Sequence, residues 1–181
     1  MSTSVALLGS INLGRHKRVG MNDLREVFTG LGFDHVQSLL QTGNVIIESG
    51  SQTTARVEER LETAVNERLA LETDCFVRSA DEWKAIVAHN PFRLEAGRDP
   101  AHRLVVFMKD TPGRSQVAAL QAAIRGRERV ATRGRQAYIV YPDGIGRSRL
   151  TISLIEHKLA TRGTGRNWNT VLKIGDLLRQ R

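Results

Sequence analysis

The sequence predicts an α+β protein made of two ferredoxin-like (alpha-beta plait) subdomains. Apolar spacing from Val5 to Arg78 alternates between strand and helix periods in the order strand, helix, strand, strand, helix, strand. From Leu104 onward the order strand, helix, strand, strand, helix returns, which points to a structural duplication although no residue-level repeat stands out. Between the two runs, Asn90-Pro91 ends a helix, because a residue before proline is pushed out of the helical region. The expected halves are therefore 1–90, which includes a short connecting helix, and 91–181, which ends in a terminal helix.

In the first half, Val5 to Leu8 is an apolar strand. Met21, Leu24, Val27, Phe28 and Leu31 recur at the spacing of one helix face, and Gly32 supplies a stop. Val36–Leu40 and Val45–Ile47 read as a pair of short strands. Val57, Leu61, Val65 and Leu69 form a helical stripe, with Glu58, Glu59, Arg60, Glu62 and Glu67 expected in water. A strand over Thr73–Arg78 follows, with Cys75 as a buried structural thiol. Ser79 and Glu82 then form a capping box before Trp83, Ile86 and Val87.

In the second half, Leu104–Phe107 is too continuously apolar for an exposed edge strand. Val117, Leu120 and Ile124 share a helix face. Arg129–Thr132 and Ala137–Tyr141 read as strands turning at Arg133-Gly134. Leu150, Leu154, Ile155 and Leu159 mark a further helix. Thr161–Arg166 reads as a loop, and Trp168, Val171, Leu172 and Leu178 as the last helix.

Composition bounds the function. One cysteine in 181 residues excludes an intramolecular disulfide and a multi-cysteine metal site. The five histidines have no metal-like spacing, so neither metal nor cofactor is expected. No apolar run is long enough to span a bilayer and no signal peptide is recognisable, so cytoplasm is the expectation. Net charge is +8, and it is unevenly placed. Residues 1–90 hold 9 Lys/Arg against 12 Asp/Glu, whereas residues 91–181 hold 18 against 7. A field of that sign favours anionic partners for the second half.

Several segments together are similar to a known family. They include Leu7-Leu8-Gly9-Ser10-Ile11-Asn12-Leu13-Gly14, Met21-Asn22-Asp23-Leu24-Arg25 and Gln41-Thr42-Gly43-Asn44-Val45. Asn90-Pro91-Phe92, Pro142-Asp143-Gly144-Ile145-Gly146-Arg147-Ser148-Arg149-Leu150 and Gly165-Arg166-Asn167-Trp168-Asn169-Thr170 continue the match in order. The chain resembles the bacterial DUF1697 family, an uncharacterised group. The resemblance implies two ferredoxin-like subdomains and carries no activity, substrate or catalytic residue. Gly9-Ser10 stands where family members commonly have Arg-Gly, and Arg149 where a lysine follows the serine.

Three loops are candidate anion sites. Arg15, Lys17 and Arg18 lie between the first strand and first helix, where backbone N–H groups can face an anion. Gly146, Arg147, Ser148 and Arg149 lie before the Leu150 helix, with Ser148 as its expected cap. Arg166 and Asn167 lie before the last helix, capped by Asn167 or Asn169. If the last two loops share one end of the second sheet, Arg147, Arg149 and Arg166 converge on one pocket. Arg125, Arg127, Arg129, Arg133 and Arg135 form the densest basic run, with only Tyr138 and Tyr141 near it for base stacking.

The leading expectation is a non-catalytic binding protein whose basic second half accepts a phosphate-bearing ligand or a nucleic-acid backbone. Two other classes stay open. One is an enzyme whose inter-subdomain pocket holds a phosphate or carboxylate; the other is a structural or protein-interaction role, as monomer or homodimer.

Overall fold

The computed structural model describes residues 2–9, 20–39, 43–93 and 102–180. It contains two four-stranded antiparallel sheets of the same topology. Packing divides the chain into two compact units, Met1–Lys84 with Ile174–Arg181, and Ala85–Lys173.

The first sheet is built from β1 (Thr3–Leu8), β2 (Asp34–Leu39), β3 (Asn44–Glu48) and β4 (Cys75–Ser79), in the order β2-β3-β1-β4. Helices α1 (Met21–Gly30) and α2 (Thr54–Leu69) lie between its strands in sequence. Side chains alternate along a strand, so Ala6, Leu8, Val45, Ile47, Cys75 and Val77 share one face. They form a core with Leu24, Phe28, Val57 and Leu61 from the two helices. On the other face, Val5, Leu7, Ile46 and Phe76 are buried too. Cys75 is a buried free thiol of this core. Gly32, at φ +80°, follows the end of α1, a conformation that disfavours any side chain.

Two acidic residues of α2 do not face water as their sequence positions suggest. Glu58 is buried and accepts the Val77 N–H at 2.8 Å, while the half-buried Glu62 accepts the Cys75 N–H at 2.8 Å. Both donors belong to β4, an edge strand whose outward N–H groups would otherwise invite another chain. Glu58 also stands 3.5 Å from the guanidinium of the fully buried Arg78. Burial of a carboxylate is tolerated here because a cation and a backbone donor replace its water.

Helix α3 (Ala80–Ala88) starts at the expected capping box. Ser79 Oγ accepts the Glu82 N–H at 3.1 Å, and the Glu82 carboxylate accepts the Ser79 N–H at 2.8 Å. Trp83 is fully buried.

The second sheet is built from β5 (Arg103–Met108), β6 (Arg129–Arg133), β7 (Gln136–Val140) and β8 (Gly163–Asn167), in the order β6-β7-β5-β8. Its helices are α4 (Arg114–Ala123) and α5 (Ile152–Leu159), and α6 (Trp168–Arg179) follows β8. Strand β5 is central, as its continuous apolarity requires. Val106, Met108, Leu120, Ile139, Tyr141, Ile155 and Leu159 form the core on the helix-covered face.

Strand β8 replaces the loop expected over Thr161–Arg166. Gly-Thr-Gly-Arg-Asn has almost no strand propensity, so pairing with β5 decides its conformation. A Cβ at Gly163 would sit 2.8 Å from Val106 Cγ1, and one at Gly165 would sit 3.1 Å from Leu104. These glycines let the edge strand close onto β5, and β8 completes the second strand-helix-strand-strand-helix-strand set.

The two units also match in position. Thr53 caps α2 and Thr151 caps α5. Counting from the caps, Val57, Glu58, Arg60 and Leu61 stand where Ile155, Glu156, Lys158 and Leu159 stand. Glu156 accepts the N–H of Gly163 on edge strand β8 at 2.8 Å, the counterpart of what Glu58 and Glu62 do for β4. Arg78 is paired with Val5 across the first sheet, and Arg166 with Val105 across the second.

Candidate functional site

The connections around the helix-covered core of the second unit are long. Residues 124–128 join α4 to β6, and residues 141–151 join β7 to α5. Together they border an open cleft of about 300 Å³. Ala123, Ile124 and Leu150 give it an apolar lining, and Arg125, Arg147 and Arg149 give it three cations.

The longer loop is held by its own bonds. Tyr141 donates its hydroxyl proton to the Leu150 carbonyl at 2.9 Å, closing the loop near both ends. Gly144 takes φ +89°, which starts a three-residue 3-10 turn over Ile145–Arg147. Ser148 then accepts the Leu150 N–H at 3.0 Å and donates its hydroxyl to Glu128 on the other connection. Asp143 and Arg127 make a second clasp between the two connections, with Arg127 Nε donating to Oδ2 at 3.1 Å and Nη2 donating to Oδ1.

These bonds sort the charges. The hydrogen bond from Arg127 holds the Asp143 carboxyl below its ordinary range, with the positive field of Arg147 and His102 adding to it. Asp143 in turn raises the pKa of Arg127. Both carboxylates lining the cleft are therefore engaged, Asp143 by Arg127 and Glu128 by Ser148. Arg125, Arg147 and Arg149 are exposed, and among the described residues none makes a side-chain hydrogen bond or an ion pair.

The sequence-derived candidates separate here. Arg147, Ser148 and Arg149 meet at the cleft, and Gly146 lies in the turn that presents them. Ser148 does not cap α5; Thr151 does, by accepting the Leu154 N–H at 3.2 Å, because the helix begins later than its apolar stripe suggests. Arg166 does not converge with Arg147 and Arg149. Its register opposite Val105 puts it on the sheet face away from Val106 and the helix-covered core, and only 8% of it is exposed. There its guanidinium donates to Thr164 Oγ1 at 2.8 Å and to the Gly165 carbonyl at 2.9 Å. Burial lowers its pKa to about 10, which still leaves a cation at neutral pH. Asn167 caps α6, accepting the Thr170 N–H at 2.8 Å. Arg15, Lys17 and Arg18 lie outside the described residues.

Arg125, Arg127, Glu128 and Asp143 complete the cluster, and their grouping has no signature in sequence spacing. The Ser148–Glu128 and Arg127–Asp143 contacts span 20 and 16 residues. Tyr138 and Tyr141 are both buried, with hydroxyls committed to the Ile86 and Leu150 carbonyls, and neither is available for base stacking. Burial pushes both phenols up to about 12. Among the described residues, no group of three or more His, Cys, Asp and Glu side chains could hold a metal ion, and no helix is long and apolar enough to cross a membrane.

Fold and site thus define an α+β protein of two similar sheet-and-helix units, the second carrying an open cleft lined by arginines. The chain belongs to the DUF1697 family, described as proteins of unknown function, whose model matches residues 1–138. Among solved structures it is similar to that of the conserved bacterial protein SP0830 from Streptococcus pneumoniae. That likeness has a TM-score of 0.73 at 22% identity and covers 98% of each chain. It concerns the fold. No curated protein matches the chain.

Proposed function

We propose that the second unit is a non-catalytic binding module for a phosphate-bearing anion, with Arg125, Arg147 and Arg149 as its ligating cations. One observation carries the reading: three exposed arginines border a single cleft, and their side chains make no hydrogen bond or ion pair among the described residues. Arginine offers planar, paired donors that match phosphate oxygens, and it stays charged at any physiological pH. Binding is the simpler reading, since both carboxylates of the cleft are already paired within the protein. Asp143 is kept ionised by Arg127, and Glu128 is engaged by Ser148. We also infer that the two units arose by duplication of one ferredoxin-like segment; the matched caps Thr53 and Thr151 and the matched edge carboxylates Glu58 and Glu156 support this.

The test is fluorescence anisotropy of labelled oligonucleotides at several salt concentrations, with inorganic phosphate and pyrophosphate as competitors. An Arg125→Ala/Arg147→Ala/Arg149→Ala variant is measured alongside. Binding that competitors displace and the triple variant loses is the expected result. A salt slope near that of one or two phosphates fits the cleft, and a larger slope marks a nucleic-acid backbone. No binding of any anion at low salt would sink the reading.

A further inference from the structure

The two units treat the same corner of their fold differently, and the difference points to a ligand class. In the first unit the corner lies between the end of α1 and the loop from β3 to α2. Residues 31–33 and 49–53 form those connections, and both are short. Arg60 of α2 closes the space between them. It donates to the Leu31 carbonyl at 2.8 Å and to Gln52 Oε1 at 2.6 Å, and its guanidinium lies 5.0 Å from the Phe33 ring centroid. Cation, acceptors and aromatic face are all supplied by the protein.

In the second unit the same corner has connections 124–128 and 141–151, longer by two and six residues, and it is open. Its arginines come from the loops rather than from the helix, and no aromatic side chain lines it. What remains is the half-buried Ala123 and Ile124, with the largely buried Leu150 behind them, next to three cations. Ile145, one of only two exposed large hydrophobic residues among those described, lies in the turn between the lining residues Gly144 and Arg147.

We infer that this cleft takes a small organic phosphate, a phosphomonoester with a compact apolar or aromatic body. The inference rests on the proposed anion site and adds the second half of the ligand. The phosphate meets Arg125, Arg147 and Arg149, while the body lies on Ile124 and Leu150 with guanidinium planes available to stack on it. A volume near 300 Å³ is the lower end of small-molecule sites. A polynucleotide fits less well. Glu128 and Asp143 interrupt the positive lining, and no exposed aromatic platform for bases stands among the described residues.

Titration calorimetry with inorganic phosphate and with phenyl phosphate tests the inference on the full chain. Phenyl phosphate should bind about tenfold tighter or better, since burying its ring adds apolar contact that phosphate lacks. Ala123→Trp, which fills the cleft from the half-exposed end of α4 without altering charge, should abolish that advantage while circular dichroism shows an intact fold. Equal affinities, with both anions lost in Arg147→Ala/Arg149→Ala, would overturn the apolar contact and leave the anion site standing. A phenyl phosphate advantage that survives Ala123→Trp would place the ring elsewhere and overturn the inference. No binding of either anion would remove both readings.

Discussion

Two corners of one topology show how a fold can either close a site or leave one open. At the end of α1, Arg60 satisfies a helix-terminal carbonyl and lies against Phe33, so its charge is used for structure. In the second unit the position matching Arg60 is Lys158 on α5, and the arginines sit on elongated loops with no side-chain hydrogen bond or ion pair among the described residues. Helix register, capping threonine and edge carboxylate are the same in both units. At the two corners, loop length and the placement of basic residues differ. A charge hydrogen-bonded to its own backbone is structural, whereas the same charge exposed around a cleft without such a bond is available to a partner.

The buried charges give the sharpest way to test that contrast. Glu58→Gln removes the carboxylate beside the fully buried Arg78 and weakens its bond to the Val77 N–H, so the first unit should lose about 1.5–3 kcal/mol. Glu156→Gln weakens one hydrogen bond and leaves no buried cation behind; its cost in the second unit should be about 1 kcal/mol. Denaturant unfolding followed by tryptophan emission can separate the two, because Trp83 lies in the first unit and Trp168 in the second. Equal losses would mean that Arg78 and Glu58 are not the coupled pair their geometry suggests.

Alkaline pH should also divide the units. Both tyrosines of the chain, Tyr138 and Tyr141, are in the second. Each folded-state value is raised from 10.0 to about 12. Their stabilising contribution is whole below pH 10 and is lost as pH rises toward 12, because the unfolded chain releases the protons first. Unfolding midpoints from pH 8 to 12 should fall for the second unit, with tyrosinate absorbance rising together with loss of structure. Tyrosinate formation near pH 10 in the folded protein would contradict it.

Smaller effects follow on strand β8. Gly163→Ala brings a Cβ to 2.8 Å from Val106 Cγ1 and 3.2 Å from the Phe107 carbonyl, and should cost about 1–3 kcal/mol by thermal unfolding. The matching position on β4 is Cys75, where a side chain already fits in the core. Smallest of all, Arg147→Ala/Arg149→Ala should shift stability by no more than about 0.5 kcal/mol, since both side chains are exposed and unbonded. Arg60→Ala should cost about 1 kcal/mol, because it removes two hydrogen bonds and a ring contact. A larger loss from the arginine pair than from Arg60 would invert the comparison.

Much of this architecture was legible from residue spacing. The apolar stripe Val57, Leu61, Val65 gave α2, the Ser79–Glu82 pair gave the start of α3, and the continuous run Leu104–Phe107 gave a central strand. A repeat was also present in residues, as Thr-x-x-x-Val-Glu-x-Arg-Leu at 53–61 and Thr-x-x-x-Ile-Glu-x-Lys-Leu at 151–159. It is short and its matches are conservative exchanges, so it emerges only when both helices are aligned on their caps. Within the site, Arg147, Ser148 and Arg149 were legible because they are contiguous. Glu128, Asp143 and Arg127 were not, because their grouping depends on two loops meeting.

The sequence by itself determined the element order apart from β8, the apolar stripes of the helices and the excess of arginine in the second half, since each follows from local spacing or composition. Tertiary structure alone decided that a glycine-rich segment is a strand, that Glu58 is buried, and that Arg166 lies on the sheet face away from the helix-covered core. The strand outcomes depend on pairing register, and a one-residue change in register exchanges the faces of a strand without changing its composition; the burial of Glu58 depends on the packing of α2 on β4.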